Sequence, residues 1–115
     1  NIVGRPMAME FLNAGATVQV CHKGTKDIIQ KASSADVIVA AAGVANLVKE
    51  DWVKEGAVII DVGINRLDNG TLTGDVDYDA VKDKVSAISP VPGGVGPMTI
   101  AVLLENTLTA YQAKL

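Results

Sequence analysis

The residue types best suited to chemistry lie in one stretch near the end of the chain, Ser89-Pro90-Val91-Pro92-Gly93-Gly94-Val95-Gly96-Pro97-Met98-Thr99. It holds three of the four prolines and three of the eleven glycines. Proline fixes φ and removes a donor, whereas glycine reaches positive φ and lets another molecule approach the backbone. The apolar pair Ala87-Ile88 leads in and an apolar run, Ile100 to Leu104, leads out. The pattern predicts a strand, a stiff glycine-rich loop, and a helix starting at Pro97, because proline is favoured in a first helical turn. A helix start of this kind offers free N–H groups to an anion or a polar ligand. The rival reading is a tight strand-to-helix connection that binds nothing. The density of proline and glycine favours a ligand-facing loop.

Other reactive residue types are sparse. His22 is the only histidine, which argues against a metal site, and packing within its loop suits it better than a general-base role. Cys21, the one cysteine, excludes an internal disulfide and fits a reducing, cytoplasmic compartment. It falls in a strand pattern, so a buried structural thiol is expected rather than a nucleophile. Asp75 and Asp77 sit at a turn and at a helix cap, not as a catalytic carboxylate pair. No catalytic residue and no metal ligand is expected.

The elements that must position the loop follow from composition and order. The chain has 115 residues, enough for one domain with a sizeable core. It is 49% hydrophobic but only 3% aromatic, so its core is built of Val, Ile, Leu and Ala, the palette of buried parallel strands. A net charge of −3 with no basic cluster gives no sign of a nucleic-acid partner. No apolar run approaches the roughly 18 residues of a membrane span, and no signal-peptide pattern is present.

In order, Pro6 and the apolar spacing of Met7, Ala8, Phe11, Leu12 and Ala14 predict a helix ended by Gly15. Thr17–Cys21 reads as a strand, and His22-Lys23-Gly24-Thr25 as a turn. Thr25 or Asp27 is expected to cap a helix through Ile28, Ile29 and Ala32. Asp36–Ala42 reads as a second buried strand, ending at Gly43, and Lys49–Val53 as a short helical piece around an anchoring Trp52. Gly56–Gly63 is a third strand, continuously apolar and so central. Asn69-Gly70 signals a hairpin. Asp77 caps a helix through Tyr78, Val81, Lys84 and Val85. Ser86–Ile88 is a fourth strand, and the last helix runs from Pro97 to about Ala113. Strands alternating with helices predict a Rossmann-like α/β fold, a doubly wound and mainly parallel sheet with helices on both faces. Ligands bind such sheets at the carboxyl ends of their strands, and the turns at Gly24, Gly43, Gly63 and Gly93-Gly94 are expected to gather there. The first helix lacks its usual leading strand, so the chain reads as a fragment whose first strand is truncated. Exposed strand edges then predict lowered stability or self-association.

The combination of motifs resembles the C-terminal, dinucleotide-binding part of the bifunctional methylenetetrahydrofolate dehydrogenase/methenyltetrahydrofolate cyclohydrolase family. Asn1-Ile2-Val3-Gly4-Arg5-Pro6 is similar to the end of one family signature. Asp61-Val62-Gly63-Ile64-Asn65 matches a strand end, and Pro90–Thr99 matches a second signature without a gap. The resemblance covers essentially all 115 residues. It implies oxidation of 5,10-methylenetetrahydrofolate to 5,10-methenyltetrahydrofolate, hydrolysis of that product to 10-formyltetrahydrofolate, and a parent protein that is a homodimer acting on tetrahydrofolate derivatives. The family's catalytic Tyr-x-x-x-Lys motif belongs to an N-terminal domain. No local substitute for it is expected here, so the isolated chain is expected to be inactive. The alternatives are a non-catalytic dinucleotide-binding module or another Rossmann dehydrogenase domain.

By the same resemblance the cofactor is NADP, with NAD less suited. An acid after the second strand would repel a 2′-phosphate, and here stand Cys21 and His22, followed by Lys23 and Lys26. His22, Lys23 and Thr25 are therefore cofactor candidates, although the lysines can equally be solvated loop charges. Ala42, Gly43 and Val44 are expected beside the adenosine or pyrophosphate, or simply in close strand–helix packing. Gly63, Ile64 and Asn65 are expected beside the nicotinamide ribose, with Asn65 alternatively bracing the turn. Thr99 is expected either to bond the cofactor or to cap its helix. Pro90, Pro92, Gly93, Gly94, Val95 and Gly96 are expected to line the folate side.

Overall fold

The structure is a computed structural model, and it describes residues 1–114. In chain order its elements are α1 (Gly4–Asn13), α2 (Ile28–Ala32), β1 (Val37–Ala40), a 3-10 turn (Glu50–Trp52), β2 (Val58–Asp61), β3 (Asn65–Arg66), β4 (Leu72–Thr73), α3 (Tyr78–Val81), β5 (Ala87–Ile88) and α4 (Val95–Gln112). Strands β1, β2 and β5 form a parallel sheet with β2 in the middle, the place its apolar run predicts. Val37 pairs with Val58, Ala40 with Asp61, and Val58 with Ala87, so the three strands run level. The segments that follow them therefore leave from one edge. Strands β3 and β4 form the hairpin that Asn69-Gly70 predicts, with Gly70 at φ +83°.

Burial explains why this small sheet holds. Along β2 the residues alternate, with Ile59 and Asp61 buried and Val58 and Ile60 half-buried. Ile59, Ala40, Val48, Val53, Val76 and Val81 make the core, and Ile38, Trp52, Val85 and Ile88 pack against it. Full burial of one such side chain is worth about 1.5–3 kcal/mol. Val48 and Val76 also form an isolated parallel bridge, which ties the chain after β1 to the chain before α3. Asp77 caps α3 as expected, accepting from the Ala80 N–H.

Several elements differ from the sequence expectations. Helix α1 does end at Gly15, at φ +84°, where Gly15 and Ala16 donate to the Leu12 and Phe11 carbonyls. This is a Schellman ending. Thr17–Cys21, however, forms no strand. A β pattern becomes a strand only against a partner, and among the described residues none lies beside this segment. Without a sheet to enter, Cys21 is exposed rather than buried. Neither Thr25 nor Asp27 caps α2 through its side chain: the N-cap is Asp27, held in the left-handed region at φ +54°, and its side chain makes no cap bond. Helix α4 begins at Val95, two residues before Pro97, with Gly94 at its N-cap. It buries no residue, and Ile100, Leu103 and Leu104 are each more than 60% exposed. Among the described residues no helix is long and apolar enough to cross a membrane.

Candidate functional site

Three loops leave the carboxyl edge of the sheet, Ala41–Val44 after β1, Val62–Ile64 after β2, and Ser89–Gly94 after β5. What fixes the second and third is Asp61, the last residue of β2. Its buried carboxylate accepts from the Gly63 and Asp75 N–H groups at Oδ1, both at 3.0 Å, and from the Val76 N–H at Oδ2, also at 3.0 Å. Its own N–H donates to the Ser89 Oγ at 2.8 Å, and Ser89 donates its N–H to the Ile59 carbonyl at 3.1 Å. The glycine-rich loop therefore starts from a point pinned to β2.

Asp75 is the second anchor, and its residue is fully buried. Its Oδ2 accepts from the Ala42 N–H at 2.6 Å and the Gly43 N–H at 2.8 Å. Its Oδ1 accepts from the Asn65 Nδ2 at 2.9 Å. Six N–H donors thus converge on two carboxylates. Hydrogen bonds to a charged acceptor are about twice as strong as neutral ones, so this arrangement offsets the cost of burying the charges. Among the described residues the ion pairs lie elsewhere, between Lys54 and Asp36 and between Lys82 and Asp79. Two glycines make the interlock possible. A Cβ on Gly63 would collide with the Asp75 carboxylate, and one on Gly74 with the Asp61 carboxylate.

The structure brings most of the predicted residues to this edge. Ala42, Gly43, Val44, Gly63, Ile64 and Asn65 stand in or directly after the first two loops, and Pro90, Pro92, Gly93 and Gly94 in the third. Val95 and Gly96 open α4. The Val91–Pro92 peptide is cis, and Gly93 has φ +97°. Gly94 must be glycine because a Cβ there would strike the Pro90 carbonyl oxygen. Val44 is 51% exposed and Ile64 65% exposed, so apolar surface flanks the loops. A Cβ on Gly43 or Gly96 would meet nothing within 4 Å, which leaves room for a flat ligand against the backbone. These features fit a dinucleotide. Among the described residues no group of three or more His, Cys, Asp and Glu could hold a metal ion.

Other residues take different places. Asn65 braces the turn through Asp75. Thr99 does not cap α4, because its hydroxyl donates to the Val95 carbonyl at 3.1 Å, one turn back within the helix. His22, Lys23, Gly24 and Thr25 close a turn of their own. Gly24 donates to the His22 Nδ1 at 3.0 Å, Thr25 to the His22 carbonyl at 2.8 Å, and the His22 N–H to the Thr25 Oγ1 at 2.9 Å. With no strand before it, Gly24 does not join the sheet edge in the way that Gly43, Gly63 and Gly93 do. Among the described residues Lys23 makes no hydrogen bond or ion pair and is exposed. Tyr78 and Lys82 do stand at the Tyr-x-x-x-Lys spacing, against the expectation that no such pair occurs here. The Lys82 Nζ is held by Asp79 Oδ1 at 2.6 Å, which raises its pKa through that bond and that charge. The chain after α3 enters the opposite edge of the sheet, where the Gly56 N–H meets the Lys84 carbonyl at 2.9 Å. The pair therefore has no place in the carboxyl-edge site. Sequence reasoning missed the anchoring by Asp61 and Asp75. The available signal was an aspartate closing an apolar strand, with glycines beside each acid.

Comparison with known proteins agrees with this geometry. A family model described as tetrahydrofolate dehydrogenase/cyclohydrolase, NAD(P)-binding domain, matches residues 1–115. Bifunctional protein FolD 1 of Hydrogenovibrio crunogenus is 64% identical over 110 residues, covering 96% of this chain and 39% of that protein. The crystal structure of the bifunctional enzyme FolD, a methylenetetrahydrofolate dehydrogenase/cyclohydrolase from Campylobacter jejuni, matches with a TM-score of 0.97 at 59% identity, covering 99% of this chain and 40% of that one. The Trypanosoma brucei N5,N10-methylenetetrahydrofolate dehydrogenase-cyclohydrolase, complexed with NADP cofactor and inhibitor, matches with a TM-score of 0.91 at 41% identity, covering 98% and 41%. The chain thus spans about two-fifths of the length of these relatives. The Rossmann-like α/β fold expected from the sequence is the fold observed.

Proposed function

The chain belongs to the tetrahydrofolate dehydrogenase/cyclohydrolase NAD(P)-binding domain family, and on that premise we propose that it is the NADP-binding part of a bifunctional folate enzyme. The parent reaction oxidises 5,10-methylenetetrahydrofolate to 5,10-methenyltetrahydrofolate, which is then hydrolysed to 10-formyltetrahydrofolate. The bound dinucleotide supplies the hydride acceptor, and the protein supplies binding and orientation. In this chain those tasks fall to Ala42, Gly43 and Val44 on one side and to Gly63 and Ile64 on the other. Pro90, Pro92, Gly93, Gly94, Val95 and Gly96 form the wall facing the folate, and Thr99 stands one turn into α4. The acid–base residues of the hydrolytic step lie outside these residues, so the 115-residue chain binds cofactor without turnover.

The observation that carries this reading is the convergence of three loops, laced to Asp61 and Asp75, on one sheet edge. The preference for NADP over NAD rests on Lys23, whose free ammonium can meet a 2′-phosphate, and on the lack of an acid at Cys21 and His22. Homodimerisation is supported by the exposed apolar side chains of α4, and a cytoplasmic location by the free thiol of Cys21. Calorimetric titration with NADP+ and NAD+ tests the core of the reading. Saturable binding with NADP+ the tighter ligand is expected, and binding of neither dinucleotide overturns it. Sedimentation over a range of concentrations tests the dimer.

A further inference from the structure

We propose that Asp75 is a positioning residue for the dinucleotide, joining the loop after β1 to the turn after β2 into one pre-ordered surface. The inference rests on the cofactor reading above. Asp75 lies 32 residues from Gly43 and 10 from Asn65 in sequence, yet its carboxylate bonds both segments at once. Oδ2 takes two successive amides of the first loop, and Oδ1 takes the side chain that opens β3. Asp75 cannot drift, because its own N–H is held by Asp61 and Gly63 leaves no space between the two.

The geometry also sorts the loop's polar groups. The Ala42 and Gly43 N–H groups point inward at a carboxylate, so they are not phosphate donors. This loop meets the ligand through its glycine Cα and the exposed Val44 instead. A buried negative charge beneath the loop further disfavours a phosphate there. The loop is thereby assigned to a ring or ribose of the cofactor and not to its pyrophosphate. A loop that is already ordered spends less of its binding free energy on ordering.

The test uses the full chain and two variants, Asp75→Asn and Asp75→Ala. Asn keeps one acceptor for the loop amides, and its own NH2 can bond the Asn65 oxygen once that amide turns over. Ala removes every bond. NADP+ affinity is measured by calorimetry at a temperature where circular dichroism shows each protein folded. Exchange of the Ala42 and Gly43 amide protons is followed by NMR without cofactor. Asp75→Ala is expected to weaken NADP+ at least about tenfold and to speed exchange at both amides, with Asp75→Asn restoring part of each. Should Asp75→Ala fail to fold, Asp75→Asn alone decides, with a several-fold loss of affinity and faster exchange at both amides expected. Unchanged affinity in folded variants shows a purely structural role and overturns the inference while leaving the cofactor reading intact. If the unaltered chain binds no NADP+, both fall. Slow exchange at Ala42 and Gly43 in the variants shows that Asp75 does not order the loop.

Discussion

The backbone N–H of Asp75 donates to Oδ1 of Asp61 at 3.0 Å, so one buried acid holds the other in place. Asp61 is the more central of the two, because its carboxylate and its backbone together touch the second loop, the chain before α3, and the start of the glycine-rich loop. Both carboxylates accept only from N–H groups. Replacing Asp61 by its amide turns an acceptor into a donor that faces another donor.

Asp61→Asn is therefore expected to cost about 2–4 kcal/mol, since at least one of three buried N–H groups loses its acceptor. A lowered denaturant midpoint with an unchanged slope is the expected reading of chemical unfolding. A midpoint equal to that of the unaltered chain would show that the three bonds contribute no net stability.

The glycines separate packing from ligand approach. Gly74→Ala pushes a Cβ into the Asp61 carboxylate and is expected to destabilise by about 3 kcal/mol or more. Gly96→Ala places its Cβ in open space on the first turn of α4 and is expected to change stability by no more than about 1 kcal/mol, in the stabilising direction. Thermal unfolding of both variants checks the contrast. Gly96→Ala is also expected to weaken a folate-side ligand, which a packing role alone would not do.

Much of this arrangement is legible in the sequence, for reasons that differ by element. The apolar run into Asp61 places β2 in the centre, and Asn69-Gly70 marks the hairpin, because both signals are local. Gly93 and Gly94 declare a constrained loop because no other residue reaches their backbone geometry without strain or collision. Thr17–Cys21 misleads, since β propensity states what a segment suits and not whether a partner lies beside it. Which residues Asp75 bonds is illegible for the same reason. Its partners are Ala42, Gly43 and Asn65, and nothing in the spacing of residues 75, 65 and 42 announces that they meet. Helix α4 shows the opposite limit, where an apolar sequence predicts burial that the described residues do not supply.

One surface pair gives a pH signature. Lys54, by its hydrogen bond first and its charge second, holds the Asp36 carboxyl below the usual carboxylate range. The group is depressed in the folded state, so its contribution is present above the unfolded carboxylate pKa and is lost as pH falls through the folded value. Because Asp36 is fully exposed the effect on stability is small. Lys54→Met is expected to return the Asp36 titration midpoint, followed by NMR, upward toward 3.8. No movement would mean that the pair does not persist in solution.

The proposed preference for NADP over NAD turns on Lys23. The turn that carries it is already closed by His22 and Thr25, and the Thr25 Oγ1 accepts from the His22 N–H, so the Thr25 O–H can offer the 2′-phosphate only a neutral hydrogen bond. On that proposal the ammonium of Lys23 is the group that reads the extra charge. Lys23→Met keeps the length of the side chain and removes the charge. It is expected to weaken NADP+ about tenfold, in line with loss of one charge-assisted contact near the surface, and to leave NAD+ unchanged. The difference should shrink as salt rises, because an exposed contact is screened. Equal losses for both dinucleotides would mean that the substitution disturbs the turn, and no loss for either would place recognition of the 2′-phosphate at another residue.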